Sequence, residues 1–188
     1  MMLKLERFLQ DRLAGSKKVA LLAIGSEFRG DDGAGLLVAE NLKGIRGIPA
    51  GKFKIFVGST APENLTGAIK RFKPSHILLI DSVDFKEKPG SIIVLSPRDI
   101  GDAVSFSTHK MPAKVLIQYF LNSLKCDPIL IGIQPASVVF GKKPSKAVVS
   151  SAKEVASAIA KSFKGETLTK LTGPAKLDYR SRKEDQYI

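Results

Sequence analysis

Val19-Ala20-Leu21-Leu22-Ala23-Ile24-Gly25-Ser26-Glu27-Phe28-Arg29-Gly30-Asp31-Asp32-Gly33 joins an unbroken apolar run to a polar, glycine-rich loop. Six consecutive apolar residues suit a strand covered on both faces, since side chains alternate across the pleat and either face then meets a hydrophobic layer. Beyond the loop, Leu36, Leu37, Ala39, Glu40 and Leu42 have the spacing of a helix ending near Gly44. Buried strand, tight loop and helix make the opening unit of a parallel α/β sheet.

Outward from this unit the alternation repeats. Phe53-Lys54-Ile55-Phe56-Val57 predicts a second strand, and Pro62 to Phe72 a helix with Leu65, Ile69 and Phe72 on one face. Ile77-Leu78-Leu79-Ile80 predicts a third buried strand, terminated by Asp81. Ser91-Ile92-Ile93-Val94-Leu95, behind a Pro89-Gly90 turn, predicts a fourth, and Ile129-Leu130-Ile131-Gly132-Ile133 a fifth. Pro112 fits the first turn of a helix, where its missing N–H costs nothing, with Val115, Leu116, Tyr119, Phe120 and Leu124 inward. A last helix is expected from about Ser145 to Phe163. At the start, Leu3, Leu5, Phe8, Leu9 and Leu13 mark a short amphipathic helix closed by Gly15-Ser16. The fold class expected is α/β, a three-layer α/β/α arrangement with a mostly parallel twisted sheet of about five strands flanked by helices.

The chain has 188 residues, enough for one well-buried domain. The division expected is a single domain over residues 1–165, with 1–15 as an N-terminal helical extension, and an aperiodic C-terminal tail over 166–188. Hydrophobic residues at 44% and charged residues at 26% exclude wholesale disorder. No apolar run reaches the roughly 18 residues of a membrane-spanning helix, and Met1 to Arg12 is charged throughout, unlike a secretory leader. The expected location is cytoplasmic. Cys126 is the only cysteine, which excludes an intramolecular disulfide and a cysteine-rich metal site; at a loop edge, it is expected to be an ordinary thiol. The net charge of +12 raises a nucleic-acid reading, but the excess is dispersed. Residues 165–188 carry five basic and four acidic side chains, a net of +1. No specific nucleic acid is expected; dispersed lysines solvate a surface and can steer an acidic protein partner.

Three polar islands interrupt the apolar pattern: the loop around Asp31 and Asp32, then Asp81, then Thr108-His109-Lys110-Met111-Pro112. In open α/β sheets, ligands bind beyond the carboxyl ends of the strands. The expected order of elements brings all three islands to one sheet edge. An Asp before a helix also caps it; one suffices and two are present, so capping and function stand level for the doublet. A phosphate-binding loop is the rival reading, but adjacent carboxylates repel phosphate and neither nucleotide fingerprint is present. A charge ending an apolar strand costs free energy unless paired or coordinated, which favours function for Asp81 over Asp84, further into the loop. His76 falls at the opposite end of its strand and is expected to be structural or exposed. Asp32, Asp81 and His109 form an oxygen, oxygen, nitrogen donor set. That set leaves coordination positions open and selects no single metal. Open positions indicate catalysis or transient binding, not a structural metal.

Five ordered blocks resemble the hydrogenase maturation endopeptidases: Ile24-Gly25-Ser26 through Gly30-Asp31-Asp32-Gly33-Ala34-Gly35, then Gly58-Ser59-Thr60-Ala61-Pro62-Glu63-Asn64, Leu79-Ile80-Asp81, Ser107 to Pro112, and Gly132-Ile133-Gln134-Pro135. The second block is similar in particular to the branch serving formate-hydrogenlyase-type enzymes. Ser26 and Lys110 depart from the pattern, standing where Asn is common. The resemblance implies an endopeptidase that trims a C-terminal extension from the large-subunit precursor of a [NiFe] hydrogenase after nickel insertion. It puts the metal-contacting positions on Asp32, Asp81 and His109, with Asp31 as acidic partner in a catalytic group of four. It implies that the nickel arrives in the precursor, held by the precursor's cysteines, and that no organic cofactor is permanently bound. Two other classes stand beside this reading: a non-catalytic nickel-centre binding module, and an α/β nucleotide- or nucleic-acid-binding protein.

Overall fold

Every residue of strand β1, Val19–Ile24, is buried, and its side chains divide strictly between two hydrophobic layers. Val19, Leu21 and Ala23 enter one cluster while Ala20, Leu22 and Ile24 enter the other. The computed structural model describes residues 2–43, 45, 48, 51–97, 105–106 and 113–164. After β1 come a 3-10 turn at Gly30–Gly33 and helix α2 at Ala34–Lys43, preceded in the chain by α1 at Met2–Leu13. Next are β2 at Phe53–Ser59, a 3-10 turn at Pro62–Leu65, α3 at Thr66–Phe72 and β3 at His76–Asp84. The rest comprises β4 at Ile92–Leu95, β5 at Ser105–Phe106, α4 at Ala113–Leu124, β6 at Asp127–Ile133 and α5 at Lys146–Lys164.

The main sheet runs in the order β2-β1-β3-β6-β4. β1 is parallel to β2 and β3, β3 is parallel to β6, and only β4 joins antiparallel, on β6. α1, α2 and α5 cover one face: Leu5, Leu9, Val38, Val148, Val155 and Ile159 pack with Leu21, Leu78 and Ile131. α3 and α4 cover the other, where Ile69, Leu116, Ile117 and Phe120 meet Leu22, Leu79 and Leu130. The three-layer, mostly parallel α/β architecture expected from the sequence is therefore the one observed. No helix among the described residues is long and apolar enough to cross a membrane.

Several boundaries differ from the sequence reading. β3 does not stop at Ile80 but runs to Asp84, so Asp81 lies inside a strand, opposite Gly132 of β6. Polar Asp81 and Ser82 are buried there, paired through their backbone where apolar periodicity gives no signal. β5 is a sixth strand, two residues long, antiparallel to β3 at Val83 and Asp84. The segment from Pro62 to Phe72 is split into a 3-10 turn and a helix. The expected tail and the start of the helix at Pro112 lie outside the described residues.

At the amino end of the sheet, Arg12 of α1 donates to Asp127 Oδ2 at 2.6 Å, and His76 Nε2 lies 3.8 Å from the same oxygen. Burial lowers the His76 pKa; Asp127 opposes that shift and Arg12 adds to it. This cluster fastens α1 to the sheet edge remote from Asp81, in keeping with a structural His76. Cys126 is buried beside it in sequence, its Sγ 3.5 Å from the Phe120 carbonyl oxygen, and burial pushes its thiol up to about 11.

The start of α2 lies against the end of β1 and against Ile80 within β3, and Gly35 makes this approach possible. A Cβ at Gly35 would lie 2.3 Å from the carbonyl oxygens of both Ile24 and Ile80. No rotamer relieves such an overlap, because both neighbours are backbone. Gly35→Ala is therefore expected to lower stability by about 1–3 kcal/mol or more. Gly67→Ala in α3, whose added Cβ would meet nothing nearer than 3.8 Å, should be neutral or stabilising by up to about 1 kcal/mol. Urea denaturation of the two variants compares them. A thiol reagent at pH 8 should leave Cys126 unmodified in the native protein and modify it fully once the protein is unfolded, since so little thiolate is present below a raised pKa.

Candidate active site

The chain leaves β1 and turns back on itself at Gly25, whose φ is +135° and whose added Cβ would lie 1.9 Å from the Asp32 carbonyl oxygen. Only glycine can hold that position. The Gly25 N–H donates to Ser59 O at 3.0 Å, joining the loops after β1 and β2. Inside the loop, Arg29 N donates to Ser26 O, Asp32 N to Arg29 O, and Phe28 N to the Ser26 hydroxyl at 3.4 Å. Ser26 thus performs a loop hydrogen bond with a short side chain at the position where the resemblance leads one to expect Asn.

Asp32 and Asp81 are both buried, 3% and 2% exposed. The pairing of β1 with β3 ends at Ala23 and Ile80, so Asp81 is the first residue of β3 past that pairing. The Gly30–Gly33 turn packs against β3 there, and Gly35 locks the following helix onto Ile80 O. These contacts bring the backbones that carry Asp32 and Asp81 to the same end of the β1/β3 seam. One Asp81 oxygen, Oδ1, accepts the Ser82 N–H at 2.7 Å. His109 lies outside the described residues, as do Thr108, Lys110, Met111 and Pro112. Among the described residues, no three His, Cys, Asp or Glu side chains gather into a metal-binding group. Asp32 and Asp81 are two oxygen donors, a set that needs a further ligand from elsewhere to hold a divalent ion.

Asp31, 1% exposed, has a different environment from its neighbour. Its Oδ2 accepts Ala136 N at 2.7 Å and Ser137 N at 3.2 Å, and its Oδ1 accepts Ser145 N at 2.5 Å. Its own N–H donates to Ser137 O, and Gly30 N to Lys142 O, both at 3.0 Å. The start of the 3-10 turn, with Arg29 at its N-cap, takes no side-chain cap. Asp31 fastens the loop after β1 to the loop after β6.

Asp84, the other carboxylate considered near Asp81, is held by Lys86 and Gln134, and their hydrogen bonds lower its pKa, Lys86 most. Gln134 is a residue that the reading of the individual side chains passed over. Buried at the end of β6, it accepts Phe85 N at 2.9 Å and Glu87 N at 3.3 Å through Oε1 and donates to Asp84 Oδ1 at 3.2 Å. It anchors the turn that follows β3. An uncharged polar residue ending an apolar strand was the available signal, by the reasoning applied to Asp81.

A family model described as "HycI: Hydrogenase maturation protease" matches residues 36–162. The chain belongs to the hydrogenase maturation protease family. The protease is 37% identical to the "Hydrogenase 3 maturation protease" of Escherichia coli strain K12 over 123 residues, covering 64% of this chain and 74% of that protein. It is 30% identical to the "Putative hydrogenase maturation protease MJ0631" of Methanocaldococcus jannaschii over 141 residues, covering 72% of this chain and 83% of that one. The crystal structure of the [NiFe] hydrogenase maturation protease HycI from Thermococcus kodakarensis superposes with a TM-score of 0.75 at 33% identity, covering 84% of this chain and 99% of that one. The resemblance read from the five sequence blocks, including its branch and its implied peptidase class, agrees with these matches. Asp81 and His109 fall within the span of the family model, while Asp31 and Asp32 precede it.

Asp31→Asn keeps the shape of the side chain, removes its charge and sets an NH2 against backbone donors. The expected cost is about 1.5–3 kcal/mol for each charged hydrogen bond lost. Amide hydrogen exchange should accelerate at Ala136, Ser137 and Ser145 before it does in β1 or β3.

Proposed function

We propose that this protease removes the C-terminal extension of a [NiFe] hydrogenase large-subunit precursor, and that Asp32, Asp81 and His109 contact the nickel the precursor already carries. The observation that carries this reading is the placement of two buried carboxylates at the carboxyl end of the β1/β3 seam. A substrate cation entering that seam meets two hard oxygen donors, a set that suits a divalent metal without selecting one. The donor set also leaves positions for the precursor's own ligands. Nickel is then part of the substrate, and the protease needs no resident metal.

Hydrolysis adds water across the scissile peptide bond. The water oxygen bonds to the carbonyl carbon, the C–N bond breaks, and the proton lost by the water reaches the departing amine. A positioned carboxylate can relay that proton, and a carboxylate oxygen of Asp32 or Asp81 not turned to the nickel is suited to it. Asp31, with three backbone N–H groups on its carboxylate, serves the group of four by fixing the turn that carries Asp32.

Mass spectrometry of the precursor tests the proposal. Asp32→Asn, Asp81→Asn and His109→Ala should each slow removal of the extension by at least ~100-fold, the lower range for a lost acid–base group, with unchanged circular dichroism. His76→Ala, at the far end of β3, should process normally. Metal-stripped protease should cleave nickel-loaded precursor and leave nickel-free precursor intact. Efficient cleavage of the nickel-free form would falsify the nickel-reading role, and binding without any cleavage would leave a nickel-centre binding module.

A further inference from the structure

Two phenylalanines stand in solvent next to the Asp31–Asp32 turn. Phe28 is 61% exposed and Phe140 is 73% exposed, with ring centroids 6.4 Å apart, and Val139 beside Phe140 is 55% exposed. Isolated exposed apolar residues are ordinary on a protein surface; a contiguous aromatic patch marks an interaction site. This one is also held in place. Gly141 N donates to Phe28 O at 2.7 Å, and the Asp31 carboxylate grips the same loop at Ala136, Ser137 and Ser145. Side chains on a pre-ordered platform lose little freedom when a partner covers them.

The border of the patch is basic. Arg29, Lys142 and Lys143 adjoin the two phenylalanines in sequence, against Glu27 as the exposed acid of the same loops. The net charge of +12 acts in the same direction at long range.

We propose that Phe28 and Phe140 anchor the hydrogenase precursor, through an apolar segment of its surface bordered by acidic side chains that face Arg29, Lys142 and Lys143. The inference rests on the function proposed above and adds the means by which the substrate is held. Binding energy collected here is the same in the ground and transition states, so its loss raises KM and leaves kcat alone.

The test uses the full-length protease and the nickel-loaded large-subunit precursor of the same organism. The double variant Phe28→Ser/Phe140→Ser should raise KM for precursor cleavage at least tenfold, with kcat within twofold of wild type and an unchanged melting temperature. Lys142→Glu/Lys143→Glu should raise KM as well and flatten its dependence on salt. An unchanged KM in the double phenylalanine variant overturns the proposal. So does a wild-type dimer that the same substitutions dissociate without moving KM, which would give the face to a second copy of the chain. Should wild-type protease fail to cleave at all, the functional reading falls separately. The Kd of precursor binding then decides the anchor: a tenfold loss in the phenylalanine variant supports it and an equal Kd overturns it.

Discussion

The carboxylate of Asp31 holds the working end of this protein together. A buried anion with no partners would be expelled or neutralised; this one is compensated by three backbone N–H groups drawn from Ala136, Ser137 and Ser145. Charged acceptors make stronger and shorter hydrogen bonds than neutral ones, so the contact organises more chain than its size suggests. β1 and β6 lie on either side of β3 in the sheet. A bond between the loops that leave them therefore links the two neighbours of the strand that carries Asp81. Remove the bond and Asp32, the β6 loop and the aromatic platform all lose their common reference point.

The fold was largely legible because β1 and the central stretches of β3 and β6, Ile77–Ile80 and Ile129–Ile131, are continuously apolar, and a strand buried on both faces announces itself by that fact alone. The reading failed where polar residues stay in the sheet. Asp81 ends the apolar run but not the strand, since Ser82, Val83 and Asp84 continue the ladder beside β6 and β5. A two-residue strand such as Ser105–Phe106 is too short to have a period. Pro62 opens a 3-10 turn before α3, a difference of hydrogen-bond step that side-chain spacing over so few residues does not resolve.

Of the candidate site, the sequence located the buried carboxylates Asp31, Asp32 and Asp81 but not the separate surroundings of the doublet. Asp31 and Asp32 are indistinguishable as a doublet in the sequence, yet one faces the backbone of the β6 loop and the other belongs to the turn packed on β3. A one-residue step in a tight turn rotates the side chain by about a third of a circle, enough to send neighbours to different partners. Gln134 and the Phe28–Phe140 pair acquire meaning only once loops distant in the chain are seen side by side. The basic surface also fits the proposed function: with lysines outside and carboxylates within, an acidic protein would be drawn to the exterior and a cation to the seam.

The state of Cys126 bears on a hazard particular to proteins that handle metal held by thiolates. Nickel bound by cysteines can migrate to any other thiolate within reach by ligand exchange, and a helper with a reactive thiol would strip the centre it is meant to finish. Here the lone thiol is buried between α4 and β6 in the chain, and burial raises its pKa to about 11. On the proposed function, the chain meets a nickel–thiolate centre through the oxygen and nitrogen donors of Asp32, Asp81 and His109 and offers it no competing thiolate. On that reading, burial of the thiol guards against transchelation, and the finished subunit would keep its metal.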